Sequence, residues 1–270
     1  MLNKPVVFLC LMNLEWLVPN ILWISLLLLL ASALTGRNRL AAPGWALFGL
    51  FWLGQPGHYL ALEDYFNAAL VIVAATFCFY IAWIVLEKGS PSRACSWAGY
   101  AAAVCGIIYF PFAEIEPLKA GLIGFTTFMT AETLQAFSIP VTMEAWNVMV
   151  LNGRTVEIIL ACTAIESIAL FAGLIVSVPA PAGRRLAALT ASTLSIYILN
   201  IARNGFVLMA YGWNWFGSDS FYVAHNVIAK IGSTIALLAV AYLVFLLLPE
   251  LLSVIDDLAA VIRHPGSDTA

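Results

Sequence analysis

Seven apolar runs, at positions 5–34, 43–60, 65–86, 94–113, 157–178, 185–209 and 226–248, occupy most of this 270-residue sequence. A helix needs about 20 residues to cross a hydrocarbon core of about 30 Å, and runs of this length suit that task. No water in a bilayer core can satisfy a free N–H or C=O, so each run must close its hydrogen bonds within itself, as a helix does. Pro19 is expected to kink or break the first run. Composition agrees: 63% of the residues are hydrophobic and 10% charged, against about 45–50% and about 25% in a soluble domain. An eighth stretch, 117–136 (PLKAGLIGFTTFMTAETLQA), is less apolar and carries Lys119 and Glu132. The expectation is an all-α polytopic membrane protein with about seven to eight transmembrane helices, forming one membrane-embedded domain over 1–270. The N-terminus lacks the basic start, short apolar core and small-residue cleavage site of a removed signal peptide, so its first run reads as a retained anchor.

The formal net charge of −3, with no basic run, gives nothing to follow a phosphate backbone, and no nucleic-acid partner is expected. Cys10, Cys78, Cys95, Cys105 and Cys162 are odd in number and none pair at CxxC spacing. Neither a disulfide framework nor a metal site is indicated, and no cofactor is expected. Four of the five sit among apolar neighbours, where a free cysteine behaves as a small hydrophobe.

Lys and Arg in short loops favour the cytoplasmic side. Arg37 and Arg39, Lys88 and Arg93, Arg184 and Arg185, and Arg263 after the last run therefore mark inside loops and a cytoplasmic tail over 249–270. The loops with His58, Glu63, Asp64, Glu114 and Glu116 then lie outside, and 113–156 forms an extracytoplasmic or re-entrant insertion. Within it, Asn152-Gly153 is a strong signal for a two-residue type I′ turn. The flanks NVMVL and TVEII are rich in β-formers, so a small external β-hairpin is expected there, leading directly into the run bearing Cys162.

The segment ILACTAIESIALFAG (159–173) gathers Cys162, Thr163, Glu166 and Ser167 inside an apolar run. With the orientation above, Cys162 falls near the outer end of its span, Arg203 near the outer end of the next, and His225 at the outer start of the last. Taken singly, the cysteine can be filler, the histidine a cap, and the arginine can snorkel to head groups. Against the last reading stands a stripe of Thr193, Tyr197, Asn200 and Asn204 at spacings of four, three and four, which puts one polar face on that helix beside Arg203. Together the three groups form a set for acyl transfer. A neighbouring cation favours the thiolate, imidazole shuttles the proton, and a guanidinium holds the oxyanion. Glu166 and Ser167 could orient the site, bind substrate backbone, or pair with Arg203. The rival reading is a transporter or channel with a polar outer vestibule, which predicts polar groups through the depth of several helices.

At ACTAIES (161–167), YILNIARN (197–204) and HN (225–226) the sequence resembles the exosortase/archaeosortase family, and within it the archaeal branch. That resemblance implies Cys162 as nucleophile, Arg203 as substrate or oxyanion partner and His225 as third member. Glu166, Ser167, Tyr197, Asn200, Asn204 and Asn226 would bind or orient substrate. It implies a multi-pass enzyme of the cell membrane, its active site facing the extracytoplasmic side. Such an enzyme cuts the C-terminal sorting signal of secreted surface proteins, and a membrane lipid amine is the implied acyl acceptor.

Overall fold

The computed structural model describes residues 4–61, 65–89 and 92–263. The expected loop residues Glu63 and Asp64, the side chain of Cys10 and the tail beyond Arg263 lie outside the described set. In chain order the helices are α1 (Lys4–Thr35), α2 (Ala41–Leu53), α3 (Pro56–Ala61), α4 (Tyr65–Lys88), α5 (Arg93–Glu114) and α6 (Glu116–Ala136). A small sheet follows, β1 (Thr142–Ala145), β2 (Val148–Leu151) and β3 (Arg154–Glu157). The chain continues with α7 (Ile165–Ser177), α8 (Ala182–Gly212), the single turn α9 (Ser220–Tyr222), α10 (Ala229–Leu247) and α11 (Pro249–Arg263).

Among the described residues four helical stretches are long and apolar enough to cross a membrane: Asn67–Lys88, Arg93–Glu114, Ala182–Gly212 and Gly217–Leu247. This is fewer than the seven to eight expected from the apolar runs. Part of the difference lies in the run 157–178, whose first residues end a strand and enter a 3-10 turn (Leu160–Cys162). Only the 13 residues of α7 remain helical there, which at 1.5 Å per residue is about 20 Å, short of a bilayer core. The eighth stretch does form a helix, α6, but it is not among the apolar four. At the expected break, α1 runs through Pro19 as continuous helix.

Chain contacts define two compact units, one of residues up to Val104 together with those from Ser253 onward, the other Cys105–Leu252. In the first, α2 packs between α1 and α4, with Trp45, Phe48, Phe51 and Trp52 in ring contact along it. Small residues permit the close approach. A Cβ on Gly44 would stand 3.0 Å from the Leu29 side chain, as expected where membrane helices pack through dispersion rather than hydrophobic exclusion. Tyr80 Oη donates to the Ile262 carbonyl at 2.9 Å and ties α11 to α4.

The second unit holds every residue singled out from 159 to 226. Its sheet is antiparallel in the order β1-β2-β3. Asn152 and Gly153 have φ of +52° and +73°, and Leu151 pairs with Arg154, the geometry that a type I′ turn requires. The expected hairpin is therefore present, with β1 as a third strand. Its core is Met149, Leu151, Val156 and Ile158 packed with Ile123, Leu134 and Leu208 of α6 and α8. The hairpin tip meets the end of α8, where Asn152 Nδ2 donates to the Gly212 carbonyl at 3.3 Å. Gly212 allows that contact, since a Cβ there would lie 2.7 Å from Leu151.

Candidate active site

Cys162 closes the 3-10 turn that joins β3 to α7, and its side chain belongs to the core cluster under the sheet. Two residues later Ala164 adopts φ +62°, ψ +11°, a left-handed conformation uncommon for a residue with a Cβ. That residue stops the helix from extending back to the cysteine. A single helix over 157–178 would put Glu166 one turn from Cys162; instead α7 starts at Ile165, and the two side chains are on different elements.

What fixes Cys162 is α8. Asn200 Nδ2 and Asn204 Nδ2 both donate to the Cys162 carbonyl, at 2.7 and 2.9 Å. One helical turn separates the two asparagines, so their carboxamides converge on one point of one face. Both are buried, at 8% and 4% exposure, and a buried carbonyl without partners would be costly. The polar stripe on α8 is thus a clamp on the turn that carries the thiol. Arg203 lies beside it, half-buried, with Nη1 3.4 Å from Asn204 Oδ1. Tyr197, the stripe's next member, stacks on Phe125 of α6 at 6.1 Å, with its hydroxyl buried near that of Thr126.

A cavity of about 580 Å³ adjoins this turn, lined by Ala161, Ala164 and Ser167 on one side, by Asn200, Arg203 and Phe206 of α8, and by Lys230, Ser233 and Leu237 of α10. Volumes of roughly 300–1,000 Å³ are usual for small-molecule sites. Glu166 points elsewhere. It is exposed and accepts a hydrogen bond from Tyr109 Oη at 3.4 Å, and no ion pair with Arg203 occurs among the described residues. Of the expected site residues, Ser167, Asn200 and Arg203 line the cavity, while Cys162, Glu166, Tyr197, Asn204 and Asn226 do not.

His225 arrives by a different route. Residues Val223–Ile228 form a π-helical turn before α10, an irregularity that recurs at functional sites because it re-aims side chains. The imidazole stacks on Phe221 at 5.2 Å with 7° between planes. Phe221 meets Tyr211 edge-on at 5.4 Å, and Arg154 of β3 lies over the Tyr211 ring at 5.3 Å. His225 does not line the cavity, but Arg203 and Lys230 both lie within electrostatic range of it. Asn226 is half-buried in the same turn. Lys230 was not singled out from sequence, although a charge one turn and a half past His225 inside an apolar run was a usable signal.

A clamped cysteine turn, an adjacent half-buried arginine and a cavity between α8 and α10, in a chain with four apolar helical stretches long enough to cross a bilayer, fit an integral membrane protein with a polar site among its helices. The family model for transmembrane exosortase (Exosortase_EpsH) matches residues 11–246, and the chain belongs to that family as a multi-pass membrane protein. Among curated proteins it is similar to archaeosortase A of Natronomonas pharaonis, 28% identical over 87% of this chain and 85% of that one. It is similar as well to archaeosortase A of Haloferax volcanii, 29% identical over 86% of this chain and 87% of the relative. No solved structure matches the chain.

Proposed function

We propose that this chain is a membrane cysteine transpeptidase or protease that cleaves the C-terminal sorting signal of secreted surface proteins at the outer membrane face. The observation that carries the reading is the double hydrogen bond from Asn200 and Asn204 to the Cys162 carbonyl, which couples the thiol-bearing turn to the helix bearing Arg203. The relatives named archaeosortase A support the substrate class. In the reaction, the Cys162 thiolate attacks the scissile carbonyl carbon and the π electrons move to oxygen, where the Arg203 guanidinium donates to the oxyanion. Collapse breaks the C–N bond, and the leaving amine takes a proton from His225. The resulting thioester is attacked by an amine of a membrane lipid, which yields a proton to His225 as the thiolate departs. Acceptance by water in place of the amine would make the same site a hydrolase. Asn200 and Asn204 hold the cysteine turn, and Asn200 and Ser167 line the substrate cavity.

The test is replacement of Cys162 by Ala in cells that express a tail-anchored surface protein. The variant should insert and fold as the parent does, while full-length substrate accumulates and no lipid-linked product forms. Intact-mass analysis of the parent chain should find a thioester adduct that Cys162→Ala lacks. Continued processing by Cys162→Ala would remove the nucleophile assignment.

A further inference from the structure

The cavity beside the cysteine turn has a one-sided charge. Arg203 on α8 and Lys230 on α10 are both among its lining residues, and no Asp or Glu is. Among the described residues neither cation forms a salt bridge, and the Arg203 side chain has only the 3.4 Å contact to Asn204 Oδ1. Ser167 and Ser233 add two hydroxyls to the lining, without a protein hydrogen-bond partner among the described residues. Lys230 and Ser233 are three apart on α10 and so share a face. The surroundings are mostly apolar: Leu199, Ile228 and Leu237 are among the other lining residues, and Leu199 and Ile228 also expose 44% and 39% of their surface. Lys230 lies in the apolar stretch Gly217–Leu247, whose most apolar part is mostly not buried within the protein. Two unpaired cations at one cavity within apolar helices lack an internal counter-ion, and such charges in a membrane protein mark a ligand or pathway. Snorkelling alone would send Lys230 away from Arg203 rather than place both on one cavity.

We propose that Arg203, Lys230 and Ser233 form a binding site for the phosphate of a lipid headgroup, entered between α8 and α10, whose acyl chains lie along the exposed apolar faces of those helices. This rests on the proposed function in one respect only, that a lipid bound there would present its headgroup to the Cys162 thioester. A phosphodiester oxygen accepts from a guanidinium fork and an ammonium together, and both are charge-assisted bonds.

Binding is measured apart from chemistry by placing Cys162→Ala in the background. The purified full chain is reconstituted with phosphatidylethanolamine or with diacylglycerol of the same acyl chains, and retained lipid is counted by native mass spectrometry. Retention of the phosphate-bearing lipid should exceed that of diacylglycerol. Lys230→Gln should reduce it about tenfold, the effect of losing one charge-assisted bond, with Lys230→Arg restoring it and Ser233→Ala giving a smaller loss. Equal retention of diacylglycerol, or unchanged retention in Lys230→Gln, overturns the proposal. Displacement of the lipid by inorganic phosphate at comparable concentration would overturn the lipid assignment and leave a free-phosphate site. Because the cysteine is absent throughout, a failed binding result leaves the thioester chemistry untouched, and failure of Cys162 as nucleophile leaves this result standing.

Discussion

The clamp on Cys162 permits a prediction whose size follows from its geometry. Its carbonyl accepts from Asn200 and Asn204 at 2.7 and 2.9 Å, and both side chains are nearly inaccessible. Replacing either by Leu, which keeps the branched outline of Asn and excludes water although it is bulkier, removes one bond but leaves the carbonyl another. Each single change should therefore cost about 1 kcal/mol, or about 0.6 kcal/mol if membrane interhelical averages hold. The double change deletes both bonds and strands a buried carbonyl, which adds about 1–3 kcal/mol beyond the sum of the singles. The measurement is SDS-titrated unfolding of the purified chain followed by tryptophan fluorescence, run as a double-mutant cycle. Iodoacetamide labelling of Cys162, with the other cysteines replaced by Ala, supplies a local readout: the double variant should label faster than either single variant. Asn204→Leu should also lower substrate processing more than Asn200→Leu, because the Asn204 side chain accepts from Arg203 as well. Additive costs with no coupling, together with unchanged labelling, would refute the clamp.

Arg203→Lys should lower processing about tenfold or more with little change in unfolding midpoint, since the charge persists while one planar donor pair, worth about 1.5–3 kcal/mol in charge-assisted hydrogen bonding, is lost; a full-rate lysine variant would rule out the oxyanion role. Phe221→Ala should weaken turnover by freeing the imidazole that stacks on it, with Phe221→Tyr restoring it and the pH–rate profile shifting only in the Ala variant. Gly212→Ala should destabilise by about 1–3 kcal/mol through overpacking against Leu151, seen as an earlier SDS midpoint. The Glu250 carboxyl is held below the usual carboxylate range by its own backbone N–H and then by Arg184, with which it is ion-paired. Its folded value is depressed, so its contribution is present at neutral pH and is lost as pH falls through the acid side of the carboxylate range. Being exposed, it should be small and fade in salt, and Glu250→Gln should flatten that part of the pH–stability curve.

Several of these features were legible in the letters, and for identifiable reasons. Asn152-Gly153 names its own turn because few residues tolerate positive φ twice in succession, and both do so here. The stripe of Tyr197, Asn200 and Asn204 was visible because polar residues at helical spacing have no use on a lipid face. The break before α7 was not legible. ILACTAIES continues an apolar run without Gly or Pro, and Ala164, unlike Gly, Asn or Asp, gives no signal of the φ of +62° it adopts. The helix expected from 157 therefore begins only at Ile165, after the strand end, the 3-10 turn and that dihedral. Strand β1 was hidden for a related reason: Met143, Glu144 and Ala145 have little strand preference, and pairing with β2 through a bulge between Met143 and Ala145 selects the conformation. Lys230 was readable as a charge in an apolar run, yet its meaning depended on Arg203 sharing the same cavity, which no spacing along one chain reveals.

The left-handed residue explains why the cysteine turn needs the asparagines at all. A thiol inside a regular membrane helix would have its carbonyl engaged four residues on and would need no external partner. With α7 beginning at Ile165, the Cys162 carbonyl is outside any helix ladder, and a residue in the left-handed region stores about 1–2 kcal/mol of strain just beyond it. Two carboxamides from α8 supply the missing acceptor satisfaction and offset that strain. The arrangement leaves the cysteine backbone anchored to the neighbouring helix rather than to its own, so small movements of α8 carry Cys162 and Arg203 together. In the proposed reaction a sulfur and a guanidinium stay in register while a substrate enters beside them, and coupling the two groups through one element serves that. A variant that restores regular helix through 162–165 should therefore fold and yet lose turnover.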